Sequence, residues 1–299
     1  MIICFVLRLI PFAMKDMPAR FPATSRANVL GIGVHAVDLS SAVTTIASAV
    51  ATRSKGYVCA IGVHGIMEAQ RNAELRKVFS RALMVVPDGM PTVWMGRLQG
   101  LHRMQRVFGP DLMLAVIRDR ALQGCSHFLY GGNNGVAEEL RASLQRQFPS
   151  ARIVGTYTPP FRPLNHTEAS ELQRTIDRLR PDIVWVGLST PKQEKFMAEY
   201  LPHLNTTLMV GVGAAFDFHT GRLRDSPRWV KQIGLQWLHR LLQEPRRLWK
   251  RYLINNPAFL ANALLQLASI RRFDLDDEER TQEPKMFLPS KSKASVRPR

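Results

Sequence analysis

Pro181-Asp182-Ile183-Val184-Trp185-Val186-Gly187-Leu188-Ser189-Thr190-Pro191-Lys192-Gln193-Glu194-Lys195 reads as a buried strand, a glycine at its carboxyl end, and a helix opening near Pro191. In an open α/β sheet such a junction is where ligands bind, because loop backbone and helix amides converge just beyond the strand tips. Lys192, Gln193 and Glu194 occupy the first helical turn, where a charged ligand needs polar partners. A structural junction would need only a cap and apolar residues.

Outward from this segment, residues 30 to 217 alternate short apolar runs with longer amphipathic ones. The runs predict strands at Tyr57–Val63, Leu83–Val86, His127–Tyr130, Arg152–Val154, Ile183–Val186 and Thr207–Val210. Helical patterns lie between them at Ser41–Arg53, Glu68–Arg81, Pro91–Leu98, Asp111–Gln123, Gly135–Phe148, Thr167–Leu179 and Lys192–Leu201. Val136, Leu140, Leu144 and Phe148 fall on one stripe of the fifth of these, with charges elsewhere. Strands separated by helices imply an α/β fold: a mainly parallel, Rossmann-like sheet with helices on both faces. After Asp217 the pattern turns purely helical and rich in arginine and tryptophan, a C-terminal appendage. The expected organisation is an N-terminal extension at 1–29, an α/β core at 30–225, the helical appendage at 226–272, and a charged tail at 273–299. That tail has too little apolar surface to order itself.

With 45% hydrophobic residues in 299, the chain can bury a real core. Cys4, Cys59 and Cys125 lie far apart, so neither a disulfide framework nor a CxxC metal site is expected; Cys59 suits a small core position. The apolar start, Met1 to Ile10, is interrupted by Arg8 and is too short to span a bilayer. No clear small-residue cleavage site follows it, and Met14 and Met17 are alternative starts. The net charge of +17 points to an anionic partner: nucleic acid, lipid head groups or phosphorylated substrate.

Four loop clusters lie at strand ends. Pro87-Asp88-Gly89 places an aspartate beyond an apolar strand, where it suits either a turn or a general base in a partly desolvated pocket. Tyr130-Gly131-Gly132-Asn133-Asn134-Gly135 permits close backbone approach to a diphosphate, with a tight turn as the plainer reading. Its spacing is neither GxGxxG nor a P-loop, which argues against an oxidoreductase or an NTPase. Gly211-Val212-Gly213-Ala214-Ala215-Phe216-Asp217 offers small residues for close packing, and Asp217 as a sugar contact or a cap. In Arg106-Val107-Phe108-Gly109-Pro110-Asp111 the arginine suits a phosphate or the surface, and Asp111 a helix start.

His35, His64 and His219 sit near loops, none paired at metal-ligand spacing; His64 follows a strand and so lies near the candidate site. Asp274-Leu275-Asp276 imitates a metal-binding DxD but falls in the polar tail, so it reads as solvated charge. No metal and no cofactor is expected. Trp229, Trp237 and Trp249 accompany Arg228, Lys231, Arg240, Arg246, Arg247, Lys250 and Arg251. Such a surface suits an anionic membrane or a lipid diphosphate, the alternative being an ordinary helix pair with core tryptophans and solvated arginines.

Taken in order, these clusters resemble the WecG/TagA/CpsF family of bacterial glycosyltransferases over about residues 30–254. The matching segments are Val86–Pro91, Arg106–Met113, Phe128–Gly132, Gly187–Lys195, Gly211–Asp217 and Gly234–Tyr252. The resemblance implies inverting, metal-independent transfer of a sugar, N-acetylmannosamine or a related hexose, from a nucleotide diphosphate sugar. The implied acceptor is a polyprenyl-diphosphate-linked saccharide used for cell-surface polymers. Asp88 matches the family's proposed base and Gln193 its donor-contacting glutamine. His64, Arg106, Gly131, Gly132, Gly187, Lys192 and Asp217 are the further substrate-binding candidates. Arg240, Arg246, Arg247 and Arg251 are expected to meet the acceptor or the inner face of the plasma membrane. Gly62 and His64 depart from the threonine and asparagine the family often carries there. A Rossmann-type oxidoreductase lacks its fingerprint here, and a nucleic-acid-binding protein lacks a recognisable module. Nothing in the pattern specifies an oligomeric state.

Overall fold

The computed structural model describes residues 25–275. It opens with an antiparallel hairpin, β1 (Arg26–Val29) and β2 (Ile32–His35). There follow α1 (Leu39–Ala51), β3 (Gly56–Ile61), α2 (Val63–Arg71), α3 (Ala73–Arg81), β4 (Met84–Pro87), α4 (Met90–Leu98) and α5 (Gly109–Arg118). Next come β5 (Ser126–Gly131), α6 (Val136–Gln147), β6 (Arg152–Tyr157), α7 (His166–Leu179), β7 (Ile183–Gly187), α8 (Lys192–Tyr200), β8 (Leu208–Gly211) and α9 (Ala215–His219). The chain then continues through α10 (Arg228–Gln232), α11 (Gln236–Gln243) and α12 (Pro245–Leu267).

Strands β3 to β8 form one sheet in the order β4-β3-β8-β7-β5-β6, with every neighbouring pair parallel. All six tips therefore open on the same edge, as the strand–helix alternation requires. Side chains alternate between two cores. Val58, Val86, Leu129, Trp185 and Val210 pack against α1, α5, α6 and α9. Cys59, Val85, Tyr130, Val186 and Met209 face α2, α3, α7 and α8, and Phe259 and Ala263 of α12 join that second layer.

The hairpin is the main element the sequence reading did not anticipate. Its two-residue turn, Leu30-Gly31, has φ of 51° and 81°. Positive φ at both positions suits the twist of a tight hairpin, yet leucine there hides the usual Asn-Gly signal. The hairpin protects the open edge of the sheet: the Val85 amide of β4 donates to Nδ1 of the buried His35, 3.0 Å away. It also gathers distant elements. The Asn28 carbonyl accepts from both Gln99, at the end of α4, and Gln266 of α12, each at 2.8 Å. The Asn28 amide side chain donates to the Phe273 carbonyl at 2.7 Å. The inner ends of the expected extension and tail thus pack on the fold. The rest of both, with Cys4, Met14, Met17 and Asp276, lies outside the described residues.

The single helix expected over 68–81 is two, since Asn72 is extended and its side chain caps α3 by accepting from the Leu75 amide. The helix expected over 111–123 ends at Arg118, with a short 3-10 turn, Arg120–Leu122, beyond it.

One backbone contact sets how closely the tips of β5 and β7 approach. Gly131 has a φ of 134°, and a Cβ there would stand 2.5 Å from the Gly187 carbonyl oxygen. Gly131→Ala should therefore cost about 3 kcal/mol or more of stability, measured by urea unfolding, from strain and overlap together. A change below ~1 kcal/mol would mean the two tips are not held at this distance.

Candidate active site

Every strand of the sheet contributes its carboxyl end to one cavity of about 1,060 Å³. Gly62 follows β3, Asp88 β4, Gly132 β5, Pro159–Leu164 β6, Gly187–Thr190 β7 and Val212–Gly213 β8. Side chains of α4, α11 and α12 close it from above. This is the position expected of a ligand site in an open α/β sheet.

Asp88 stands at the tip of β4 with its amide donating to the Ile61 carbonyl at 2.9 Å. It does not cap α4: the capping residue is Gly89, which makes no side-chain cap bond. Instead Asp88 Oδ1 accepts the Gly109 amide at 3.0 Å, which ties β4 to the start of α5. Burial raises its pKa, while Arg106, the Gly109 hydrogen bond and Arg240 pull it back. Arg106 Nε donates to the Asp88 carbonyl at 2.7 Å, its Nη2 donates to Gln236 of α11, and its guanidinium lies 4.2 Å from the Phe108 ring centroid. Gly109 must be glycine, because a Cβ would meet the Val212 carbonyl at 2.8 Å.

Opposite Asp88 the roof is cationic. Arg240 and Arg247 both pair with Glu244, each at 2.7 Å, so one carboxylate serves two guanidiniums. The Nε atoms of Arg240 and Arg251 are buried without a hydrogen-bond partner. Burial lowers the Arg251 pKa, with Arg240 and Arg247 adding repulsion. These are donors in want of an acceptor, at the wall of a cavity. Asp217, in the first turn of α9, has its pKa raised by burial and opposed chiefly by Arg247. Arg246 is exposed and does not line the cavity, so it parts company with the other three arginines.

The quoted β7–α8 junction turns inward. Gln193 and Glu194 are buried, at 2% and 0% exposure. Gln193 donates through Nε2 to Glu194 Oε1 at 2.9 Å and accepts the Gly213 amide at 3.1 Å, joining two strand tips. Glu194 also accepts from the Thr190 hydroxyl at 2.9 Å, and burial pushes its pKa up. Both polar groups of Gln193 are thus engaged within the protein, although the residue borders the cavity. Lys192 is exposed at the rim, 3.5 Å from the Phe161 carbonyl. Of the two glycines expected to cradle a diphosphate, only Gly132 borders the cavity. Gly131 is buried, and the Gly132 amide donates to the Gly187 carbonyl at 3.1 Å. Gly187 itself is small because Phe216 occupies the place of a Cβ, 2.6 Å away.

His64 lies in the first turn of α2, just beyond the end of β3. Its Nε2 donates to the Thr190 carbonyl at 3.3 Å, and its Nδ1 accepts from Asn255 of α12 at 3.0 Å. Both ring nitrogens thus hold the walls together. The sequence reading passed over Asn255, Gln236, Trp94 and the Pro159–Leu164 loop. Only the loop had a signal, a proline-rich stretch directly after a strand. An aromatic stack backs it: Tyr157 on Tyr130 at 5.6 Å, Tyr130 on Phe196 at 4.1 Å and Phe196 on Tyr200 at 4.6 Å between centroids. Among the described residues no group of three His, Cys, Asp or Glu could hold a metal ion.

Residues 27–273 match the model of the Glycosyl transferase WecG/TagA/CpsF family. The chain is 29% identical over 176 residues to the N-acetylglucosaminyldiphosphoundecaprenol N-acetyl-beta-D-mannosaminyltransferase of Bacillus subtilis, covering 59% of this chain and 66% of that protein. It is 32% identical over 187 residues to the protein of the same name from Bacillus spizizenii, covering 62% and 70%. The chain thus spans about two thirds of the length of these curated relatives.

Burial, with Arg251 beside it, lowers the His64 pKa to about 4. The unfolded imidazole binds its proton near 6.5, so stability is full above about pH 6.5 and is lost on acidification toward 4, on the order of 3 kcal/mol at most. His64→Gln should flatten the stability profile over this window. An NMR titration of the ring with a midpoint near 6.5 would contradict the arrangement.

Proposed function

The chain belongs to the WecG/TagA/CpsF family of glycosyl transferases, and from that premise we propose that it transfers a hexose, N-acetylmannosamine or a close relative, from a nucleotide diphosphate sugar to a polyprenyl-diphosphate-linked saccharide, with inversion. One observation carries the reading: Asp88 shares a cavity with Arg240 and Arg251, whose buried Nε donors lack acceptors. A carboxylate base facing unsatisfied guanidiniums is what displacement of a diphosphate requires.

In this mechanism Gly109 holds Asp88 Oδ1, leaving Oδ2 to take the proton of the acceptor hydroxyl. The hydroxyl oxygen attacks the anomeric carbon from the face opposite the diphosphate, and the carbon–oxygen bond to the leaving group breaks. Arg240 and Arg251, with Arg247 at the rim, receive the charge that develops on the nucleoside diphosphate. Arg106 is a positioning residue for the base. Gln193 and His64 hold the tips of β7 and β8 and helix α12 in register around the donor. The counter-charge is thus supplied by side chains, and transfer is expected to continue in EDTA. Because burial raises the Asp88 pKa, the acid limb of the rate profile should lie above the ordinary carboxylate value of about 3.9.

No helix among the described residues is long and apolar enough to cross a membrane. We place the enzyme peripherally on the inner face of the plasma membrane, the outer side of α10 to α12 against anionic lipid. Trp249, Leu253 and Ile254 are exposed there beside Arg246 and Lys250, a mixture suited to an interface. The arginines expected to share one task are thus divided, with Arg246 toward lipid and Arg240, Arg247 and Arg251 toward substrate.

Asp88→Asn preserves the acceptor for the Gly109 amide while removing the base. Turnover on a nucleotide sugar and a lipid-linked acceptor should fall about 10²-fold or more, while Tm stays level or rises because a buried charge is gone. Near-normal turnover would remove Asp88 from the mechanism. For the division of arginines, Arg246→Glu with Lys250→Glu should release the protein from anionic vesicles and make the remaining binding weaker still in salt. Arg240→Ala with Arg251→Ala should instead lower transfer about 10²-fold with sedimentation unchanged. The opposite assignment of effects would overturn the division.

A further inference from the structure

Two glycines stand beside the Asp88 carboxylate, and neither the backbone nor the packing calls for them. Gly62 is the cap residue of α2 and Gly89 that of α4, with φ of −118° and −119°. These are extended conformations that any residue adopts. Within 4 Å, a Cβ on Gly62 would meet only Asp88 Oδ2, at 4.0 Å. One on Gly89 would meet only Pro91 Cδ at 3.7 Å and the Gly62 Cα at 3.9 Å. All of these are ordinary contacts.

The other glycines on the cavity wall are accounted for within the protein. A Cβ on Gly65 would stand 2.8 Å from Ile61, and one on Gly187 2.6 Å from Phe216. Gly132, Gly213 and Gly234 have φ of 77°, 56° and 75°, the region that favours glycine. At Gly62 and Gly89, by contrast, alanine would fit the backbone and would reduce the entropy lost on folding. Neither helix start has a side-chain cap, which serine or aspartate at these positions could supply. What the two glycines keep open is a slot on the cavity wall, beside the base.

The slot has a definite place and size. A hydroxyl donating to Asp88 Oδ2 would stand about 2.7 Å from it, so its carbon and the adjoining ring carbons fall roughly 3.5–5 Å away. That is the shell in which a Gly62 Cβ would lie. The two glycines adjoin, so the room left is that of two heavy atoms. A hydroxymethyl group, one carbon and one oxygen, matches it; an acetamido group, with four heavy atoms, overfills it.

We infer that Gly62 and Gly89 select the acceptor sugar, their missing side chains making room for a hydroxymethyl group on the ring carbon next to the one whose hydroxyl attacks. This deepens the transferase reading and rests on it. Both are specificity residues: they border the substrate and take no part in proton transfer or in holding the leaving group. A methyl group at either position discriminates by overlap with that one substituent, and leaves Asp88 and the cations where they are.

The test compares two acceptors on the full chain: N-acetylglucosaminyl diphosphate carried on a farnesyl group, and the N-acetylxylosaminyl counterpart, which lacks only the hydroxymethyl group. Affinity is read by calorimetry, and transfer from UDP-N-acetylmannosamine by mass spectrometry. The unaltered protein should bind the hexosyl acceptor at least about threefold tighter than the pentosyl one. Gly62→Ala should reduce the ratio of hexosyl to pentosyl affinity about tenfold or more, and Gly89→Ala should move it in the same direction. Both variants should keep Tm level or raise it. A ratio unchanged by either variant, or failure of both acceptors to bind, would overturn the slot. So would an equal loss on the two acceptors, since Gly62 would then serve the base itself, or a fall in Tm, since packing would then require the glycine. Calorimetry needs no transfer. If neither acceptor is elongated while the affinity ratio shifts as stated, the transferase reading fails and the slot stands, so the two are told apart.

Discussion

Asn255 of α12 donates to Nδ1 of His64 while Nε2 of the same ring donates to the Thr190 carbonyl. Through one neutral imidazole the C-terminal helix, the start of α2 and the β7–α8 loop are held at a common point. Among the described residues it is the hydrogen bond that anchors the middle of α12 to the cavity wall. The geometry also demands that the ring stay neutral, since one nitrogen must accept and the other donate. Burial of the ring beside Arg251 meets that demand. The remaining anchors of α12 lie at its far end, where Gln266 binds both Asn28 and Leu30 of the hairpin. A helix of 23 residues, pinned at its middle and its end, can serve as one rigid wall.

The charges inside this enclosure are deliberately incomplete. Glu194 is fully buried with its Oε2 lacking a hydrogen-bond partner, and Arg240 and Arg251 each bury an Nε in the same condition. Each such group disfavours the folded state by an amount on the order of 1–3 kcal/mol. Two extended cores on either side of the sheet offset that cost, with Trp185, Tyr130, Phe128 and Phe216 among the largest fully buried side chains. The proposed transfer, in which a diphosphate departs, calls for cations whose hydrogen bonds are not already satisfied. Arg240 and Arg247 share the single carboxylate of Glu244, which leaves positive charge in excess. Arg106, Lys192, Lys231, Arg240, Arg247 and Arg251 all line the cavity, so part of the chain's positive charge stands where an anion would bind.

What the amino-acid order by itself determined is the sheet and its working edge. Short apolar runs at Tyr57–Val63, His127–Tyr130 and Ile183–Val186, separated by period-3.6 helices, admit little besides a parallel sheet covered on both faces. Asp88, the glycine clusters and the arginines of the last helices were readable because they stand in loops or in repeated local patterns. Tertiary structure alone decided what these residues bond to. Gly132 gives its amide to Gly187, Gln193 bridges Glu194 and Gly213, and His64 meets a residue 191 positions away, as no local pattern can announce. The division of the arginines is of the same kind. Arg246 and Arg247 are adjacent in sequence, yet a 100° turn of the helix places only Arg247 on the cavity. Periodicity states which residues share a face; only the packing of α12 against α2 and the hairpin selects the face that looks inward, because that choice is made by contacts between segments distant in the chain.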